Sequence, residues 1–144
     1  MPDRTATTWW RGDLVSGSGM IGLESSGETR FSFSLASRAG VEEGQTNPEE
    51  LLAAAQSACY SMQLSALLTR AGTPPQSIAT EATVTQTLRD GEYLITQVAL
   101  RVRAAVPGAD DKAFQLAVRE AKDTCPVSRA LSGTEITVEA TLLP

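Results

Sequence analysis

The spacing of apolar residues changes along the chain and separates strands from helices. Near the N-terminus the apolar positions alternate or cluster briefly between glycines, so residues 6–15, 20–24 and 29–35 read as three strands. In the third, Phe31, Phe33 and Leu35 alternate with Ser32 and Ser34. Gly17, Gly19, Gly22 and Gly27 punctuate this region as turns. Gly17, Gly19 and Gly22 formally match a dinucleotide-binding glycine pattern, but no helix follows them, which makes them hairpin residues. Residues 37–47 are rich in Gly, Glu and Gln and form a loop. The loop ends in Thr46-Asn47-Pro48-Glu49-Glu50, a helix start with Asn47 as cap, Pro48 at the first helical position and two acids where the helix dipole favours them. From 48 to 70 the helix is apolar nearly all round, through Ala53, Ala54, Ala55, Ala58, Cys59, Met62, Leu64, Leu67 and Leu68, and such a helix is expected to be buried.

Gly72, Pro74 and Pro75 end that helix, and residues 79–104 form a β-hairpin around Asp90-Gly91. A second helix over 110–124 is capped by Asp110 and carries Phe114, Ala117, Val118 and Ala121 at i, i+3, i+4 and i+7. Cys125-Pro126 stops it, residues 127–131 make one more helical turn, and 134–143 is a strand in which Ile136, Val138, Ala140 and Leu142 alternate with polar neighbours. The order predicts a single α+β domain over 1–144, without the βαβ alternation of a parallel sheet. One sheet covers only one side of a helix that is apolar all round, so a second subunit is the simplest cover for the rest.

Charge and composition narrow the chemistry. The 144 residues hold 12 basic and 17 acidic side chains, for a net charge of −5, and no basic block suited to a row of phosphates, so nucleic acid is not an expected partner. Residues 1–10 lack the basic start and apolar run of a secretory signal, and no run of about eighteen apolar residues suggests a membrane partner; a cytoplasmic protein is expected. There is no histidine, which excludes serine triads, Cys–His proteases and His-bearing zinc sites. Any chemistry is left to carboxylates, Arg, Lys and the two cysteines.

Cys59 lies inside the long helix, where a free thiol often serves only as a small apolar filler. Cys125 precedes Pro126 at the mouth of a short helix, where free N–H groups favour a thiolate, so local electrostatics alone selects Cys125 as the reactive one. The two stand 66 positions apart, and a disulfide between them would add about 4 kcal/mol in the chain-entropy model. Spacing does not show whether they meet. Taken alone, Arg38 reads as a solvated loop charge and Glu49 as an ordinary first-turn acid.

The runs Thr46-Asn47-Pro48-Glu49-Glu50-Leu51-Leu52, Ala53-Ala54, Ser57-Ala58-Cys59 and Cys125-Pro126-Val127-Ser128 together resemble the paired motifs of the OsmC/Ohr family of hydroperoxide reductases. The similarity covers nearly the whole chain and its element order. Arg38 in an extended loop and Trp10-x-Gly12-Asp13 look more like the OsmC branch. The resemblance implies antiparallel sheets wrapped around a long buried central helix in an intertwined homodimer with two active sites. It implies that Cys59 is the peroxidatic thiol and Cys125 the resolving one, reversing the order that local electrostatics favours. It further implies that Arg38 steadies the thiolate and the peroxide, with Glu49 orienting that arginine and Arg11 as the weaker substitute. Organic hydroperoxides are then the expected substrates, hydrogen peroxide a poorer one, with Leu51, Leu52, Met62, Phe31 and Phe33 offering an apolar vestibule. An external dithiol of lipoyl or thioredoxin type is the expected donor, and no metal, flavin or haem is implied. Gln56 departs from the aromatic residue or histidine that the family often has three positions before the first cysteine. Two other readings stay open: a redox sensor without turnover, and a structural stress-induced dimer with inert thiols.

Overall fold

The computed structural model describes residues 3–41 and 43–144, which fall into two compact units, 1–51 and 52–144. In the first unit β1 (Thr7–Arg11), β2 (Ser18–Gly22) and β3 (Arg30–Ser34) form an antiparallel meander in that order. Gly19 of the middle strand pairs with both Trp10 and Phe33, whose rings meet over it with centroids 5.4 Å apart. A side chain at Gly19 would run into the Phe33 ring. β1 and β3 are shorter than their composition suggests, and β2 is shifted two residues toward the N-terminus. Residues 12–15 leave β1 because Asp13 Oδ1 accepts the N–H groups of Val15 and Ser16 and closes a turn that competes with the ladder.

β3 ends at Ser34 rather than at residue 35 or 36. Ser34 caps a four-residue helix, α1 (Leu35–Arg38), through a reciprocal capping box with Ser37, so Arg38 closes a helical turn where a loop was expected. The chain then returns along β3: Thr46 N–H donates to Ser32 O at 3.1 Å, and Ser37 Oγ donates to Thr46 O at 2.8 Å. Asn47 Oδ1 accepts Glu50 N–H at 2.8 Å, which starts α2 (Pro48–Arg70) where the sequence places it. These bonds fix the start of α2 in the same unit as α1.

The second unit contains the rest of α2, then β4 (Ser77–Arg89), β5 (Glu92–Ala105), α3 (Asp111–Thr124), α4 (Pro126–Ala130) and β6 (Glu135–Leu143), with sheet order β4-β5-β6. Asp90 at φ 52° and Gly91 at φ 83° make the two-residue turn of the β4–β5 hairpin, both in the left-handed region that such a turn needs. β6 runs parallel to β5, from Gln97 opposite Glu135 to Ala105 opposite Leu143. This sheet is therefore mixed rather than antiparallel, and it contains one βαβ crossover. The physical reason is connectivity: α3 and α4 carry the chain back to the starting end of β5, from which only a parallel return is open.

The core of this unit is built from Tyr60, Leu64, Leu67 and Leu68 of α2, from Val98, Leu100, Val102 and Ala104 at alternate positions of β5, and from Phe114, Val118 and Ala121 of α3. Within one chain α2 is not buried on every side. It hides a stripe, Gln56, Tyr60, Leu64, Leu67 and Leu68, while Ala54, Ala55 and Ala58 are exposed and Met62 is 75% exposed. The sheet and α3 have only one side to offer it. By length and composition α2 could also cross a bilayer, but its stripe is committed to protein.

Candidate active site

Three side-chain bonds fasten α2 to α3 and α4 at residues 56, 60 and 63, a helical i, i+4, i+7 spacing. Gln56 Nε2 donates to Ser128 Oγ at 2.7 Å, Tyr60 Oη to Val118 O at 3.0 Å, and Gln63 Nε2 to Thr124 Oγ1 at 2.8 Å. Cys59 lies inside this polar stripe and so faces the α3–α4 junction. That junction is Cys125, the C-cap of α3 and the N-cap of α4, held at φ −62° and ψ 124°. Pro126 disfavours a helical conformation for the residue before it, which ends α3 there. Cys125 N–H donates to Ala121 O and its carbonyl accepts Arg129 N–H, so its backbone is fixed from both sides.

The two thiols meet: Cys125 Sγ donates to Cys59 Sγ at 2.9 Å, both reduced. Bonding would bring the sulfurs about 1 Å closer. They differ in access and in ionisation. Cys125 is 0% exposed, whereas Cys59 is only partly buried. Burial pushes the Cys59 thiol up from its ordinary value and the hydrogen bond with Cys125 raises it further, against a smaller opposing pull from Val127 N–H. Burial also acts on Cys125, but once it is ionised the Cys59 thiol turns its hydrogen toward it, and this with the N–H and hydroxyl of Ser128 and the N–H of Val127 outweighs burial and holds Cys125 below the ordinary thiol range. The two N–H contacts are looser than a formed cap hydrogen bond, so they act as oriented dipoles. When the pair loses its first proton the charge rests on Cys125, and the remaining S–H belongs to Cys59. The Cys125 thiolate therefore stabilises the fold above the unfolded thiol's pKa, and that contribution fades as pH falls through the lower folded value. Tyr60 stays neutral, its phenol pushed up by burial first and by Cys125 second.

Gln56 is 0% exposed, and its Oε1 has no hydrogen-bond partner among the described residues. A buried orphan acceptor costs about 1–3 kcal/mol, which an apolar residue of the same shape would avoid.

Arg38 and Glu49 belong to the other unit and are also brought together. Arg38 Nε lies 3.1 and 3.2 Å from the two Glu49 carboxylate oxygens, and its Nη2 is 2.6 Å from Oε1. This forked, charge-assisted pair fixes the plane of the guanidinium at the start of α2. The Glu49 side chain is 13% exposed and that of Arg38 42%. Arg11, at the end of β1, is exposed and has no ion pair among the described residues.

The family model described as OsmC-like protein matches residues 41–141. The chain belongs to the OsmC-like family. It is 42% identical over 130 residues to peroxiredoxin OsmC of Escherichia coli K12, a match covering 90% of each chain. Among solved structures, the organic hydroperoxide resistance protein OhrB of Bacillus subtilis is similar at a TM-score of 0.75 and 26% identity, over 95% of this chain and 98% of that one. An OsmC-like protein of unknown function from Vibrio cholerae shares the fold at a TM-score of 0.79 and 18% identity, over 98% of this chain and 100% of that one.

In this OsmC-like chain the sequence motifs contain both cysteines, Val127 and Ser128 but neither Gln56 nor Tyr60, and only the cysteines stand out by chemistry. Ser128 was visible only as part of the second motif, and Gln56 only as a departure. The available signal was a lone amide among apolar neighbours, three positions before a cysteine and hence on the same helix face.

Proposed function

We propose that this chain is a thiol-dependent peroxidase that reduces organic hydroperoxides to alcohols, with Cys59 as the attacking thiol and Cys125 as the resolving one. The observation that carries the reading is the pair of sulfurs 2.9 Å apart, with Cys125 fully buried and Cys59 only partly so. The names of the relatives, a peroxiredoxin and an organic hydroperoxide resistance protein, support a peroxidase-type role. Access supports this order of the cysteines, since a nucleophile shielded from peroxide does not take the first step, however well it ionises.

In that step the Cys59 thiolate attacks the terminal oxygen of ROOH. An S–O bond forms, the O–O bond breaks, and the alkoxide leaves and takes a proton to become the alcohol. Cys125 then displaces hydroxide from the Cys59 sulfenic acid to form the disulfide, and the hydroxide becomes water. The two protons come from the two thiols. An external dithiol of lipoyl or thioredoxin type exchanges with the disulfide and restores both. Within one chain the Cys59 thiol is pushed up, so it needs a cation to ionise at neutral pH. Arg38 supplies this in the homodimer, with Glu49 holding its fork, and also steadies charge on the peroxide oxygens. Met62, exposed one turn along α2 from Cys59, favours an organic substituent over a bare hydroperoxide. The reaction belongs to the cytoplasm, where dithiol donors are kept reduced.

The test is peroxide consumption with dihydrolipoamide regeneration, comparing cumene hydroperoxide with hydrogen peroxide. Catalytic loss of both, faster with cumene hydroperoxide, is expected. Disulfide formation without turnover would instead make the chain a sensor, and thiols inert to a labelling reagent at neutral pH would leave a structural dimer.

Arg38→Ala is expected to slow peroxide attack by about tenfold or more and to raise the pH at which Cys59 reacts with iodoacetamide, since about 1.4 kcal/mol of lost thiolate stabilisation is a factor of ten. An unchanged titration in Arg38→Ala together with a shifted one in Arg11→Ala would assign the role to Arg11.

A further inference from the structure

Gln56 is a fully buried polar side chain that the two-cysteine mechanism leaves unused. Its Nε2 donates to Ser128 Oγ at 2.7 Å, and Ser128 is the third residue of the helix that Cys125 caps, the position whose N–H and hydroxyl turn back toward the capping side chain; both favour the ionised Cys125. A serine hydroxyl has a single hydrogen, so accepting from Gln56 leaves that hydrogen for the sulfur. The orientation of the amide follows: with Oε1 turned toward Ser128 the hydroxyl would donate to the amide and be lost to Cys125. The unpartnered Oε1 is the cost of this arrangement, and it marks a residue kept for something other than stability.

We propose that Gln56 is a positioning residue for disulfide closing: by donating to the Ser128 oxygen it fixes the serine hydroxyl on the Cys125 sulfur and so steadies the thiolate that attacks Cys59. The inference rests on the peroxidase reading and concerns its second step. There the Cys125 thiolate attacks the sulfur of the Cys59 sulfenic acid, the S–S bond forms as the S–O bond breaks, and hydroxide leaves to be protonated. The titratable groups facing Cys125 are Cys59 and Tyr60 of α2, and Tyr60 is committed to the Val118 carbonyl. The α4 residue that bears on the sulfur through its side chain is the uncharged Ser128, so the thiolate depends on hydrogen bonds rather than on a cation.

Gln56→Met keeps the shape of the side chain and removes both the donor and the orphan acceptor. Losing the hydrogen bond leaves about tenfold fewer Cys125 thiolates at neutral pH, and the greater nucleophilicity of a more basic thiolate recovers about threefold of this. Closing should therefore slow by about threefold at pH 7 and recover toward the wild-type rate as the pH is raised. In single turnovers with one equivalent of cumene hydroperoxide, sulfenic acid would be trapped with a cyclic 1,3-diketone and disulfide followed by mass after quenching. Sulfenic acid should form in Gln56→Met within about twofold of the wild-type rate, while disulfide lags. Ser128→Ala should show the same lag, the double variant should be no slower than the slower single one, and the melting temperature of Gln56→Met should equal or exceed that of wild type. Closing at the wild-type rate in Gln56→Met, or a lag independent of pH with a lowered melting temperature, would overturn the proposal. A wild-type protein that forms no sulfenic acid would overturn the peroxidase reading and this one with it, whereas normal sulfenic acid with unchanged closing overturns only the role of Gln56.

Discussion

Cys59→Ser protein is expected to consume no peroxide at all, whereas Cys125→Ser protein destroys about one equivalent and then stalls. Two properties of the thiol pair pull in opposite directions here. Ionisation favours Cys125, whose thiolate form is favoured by the Cys59 thiol, by Ser128 and by the N–H of Val127, and which is held below the ordinary thiol range. Access favours Cys59, because Cys125 has no exposed surface. Burial raises the Cys59 thiol and so lowers its thiolate fraction, a loss that a nearby arginine offsets, while a buried sulfur needs an opening of the structure for every encounter. On that reasoning access sets the expected order. The measurement is stoichiometric loss of cumene hydroperoxide by each reduced variant without a regenerating dithiol. A burst of one equivalent in Cys59→Ser that is absent from Cys125→Ser would reverse the roles and show that ionisation governs instead.

The parts of this arrangement that were legible in the sequence are those carried by local signals. The Asn47-Pro48 helix start, the Asp110 cap and the Asp90-Gly91 turn each state a backbone conformation in two or three residues, and all three stand where they were expected. The end of β3 was misplaced because Leu35 continues an apolar alternation while Ser34 caps a helix, and the capping box outweighs the alternation. The parallel pairing of β6 has no local signal, since alternation reads the same in either direction. The same division holds for the site. The cysteines were legible as residue types, and the contact between them was not, because it depends on where α2 passes the α3–α4 junction. Gln56 is legible only as a departure from the family pattern, since its partner, Ser128, lies 72 positions away.

An equal mixture of Cys59→Ser and Glu49→Ala chains, each inactive by itself, is expected to recover about one quarter of wild-type activity once subunits have exchanged fully. Arg38 is forked onto Glu49 in the first turn of α2, through Nε and Nη2. Cys59 is ten positions further along that helix, which at about 1.5 Å per residue is roughly 15 Å along the axis. By that rise, a guanidinium bridging Glu49 and the sulfur of the same helix would be stretched beyond a compact ion pair. Two α2 helices packed antiparallel across a two-fold axis would instead bring Glu49 and Arg38 of one subunit beside Cys59 of the other. The exposed strip of Ala54, Ala55 and Ala58 favours this packing, because small side chains let helices approach closely and an apolar strip gains by being covered. In such a dimer each site takes its sulfur from one chain and its arginine clamp from the other. A mixed dimer then has one site with both lesions and one with neither, and random pairing makes about half of all dimers mixed, which gives the quarter. The readout is steady-state peroxide loss against mixing time, with exchange followed independently by mass spectrometry of the intact dimers. Full exchange without any return of activity would mean that each site is assembled within one subunit, and would remove Glu49 from the role of orienting the arginine for the partner's thiol.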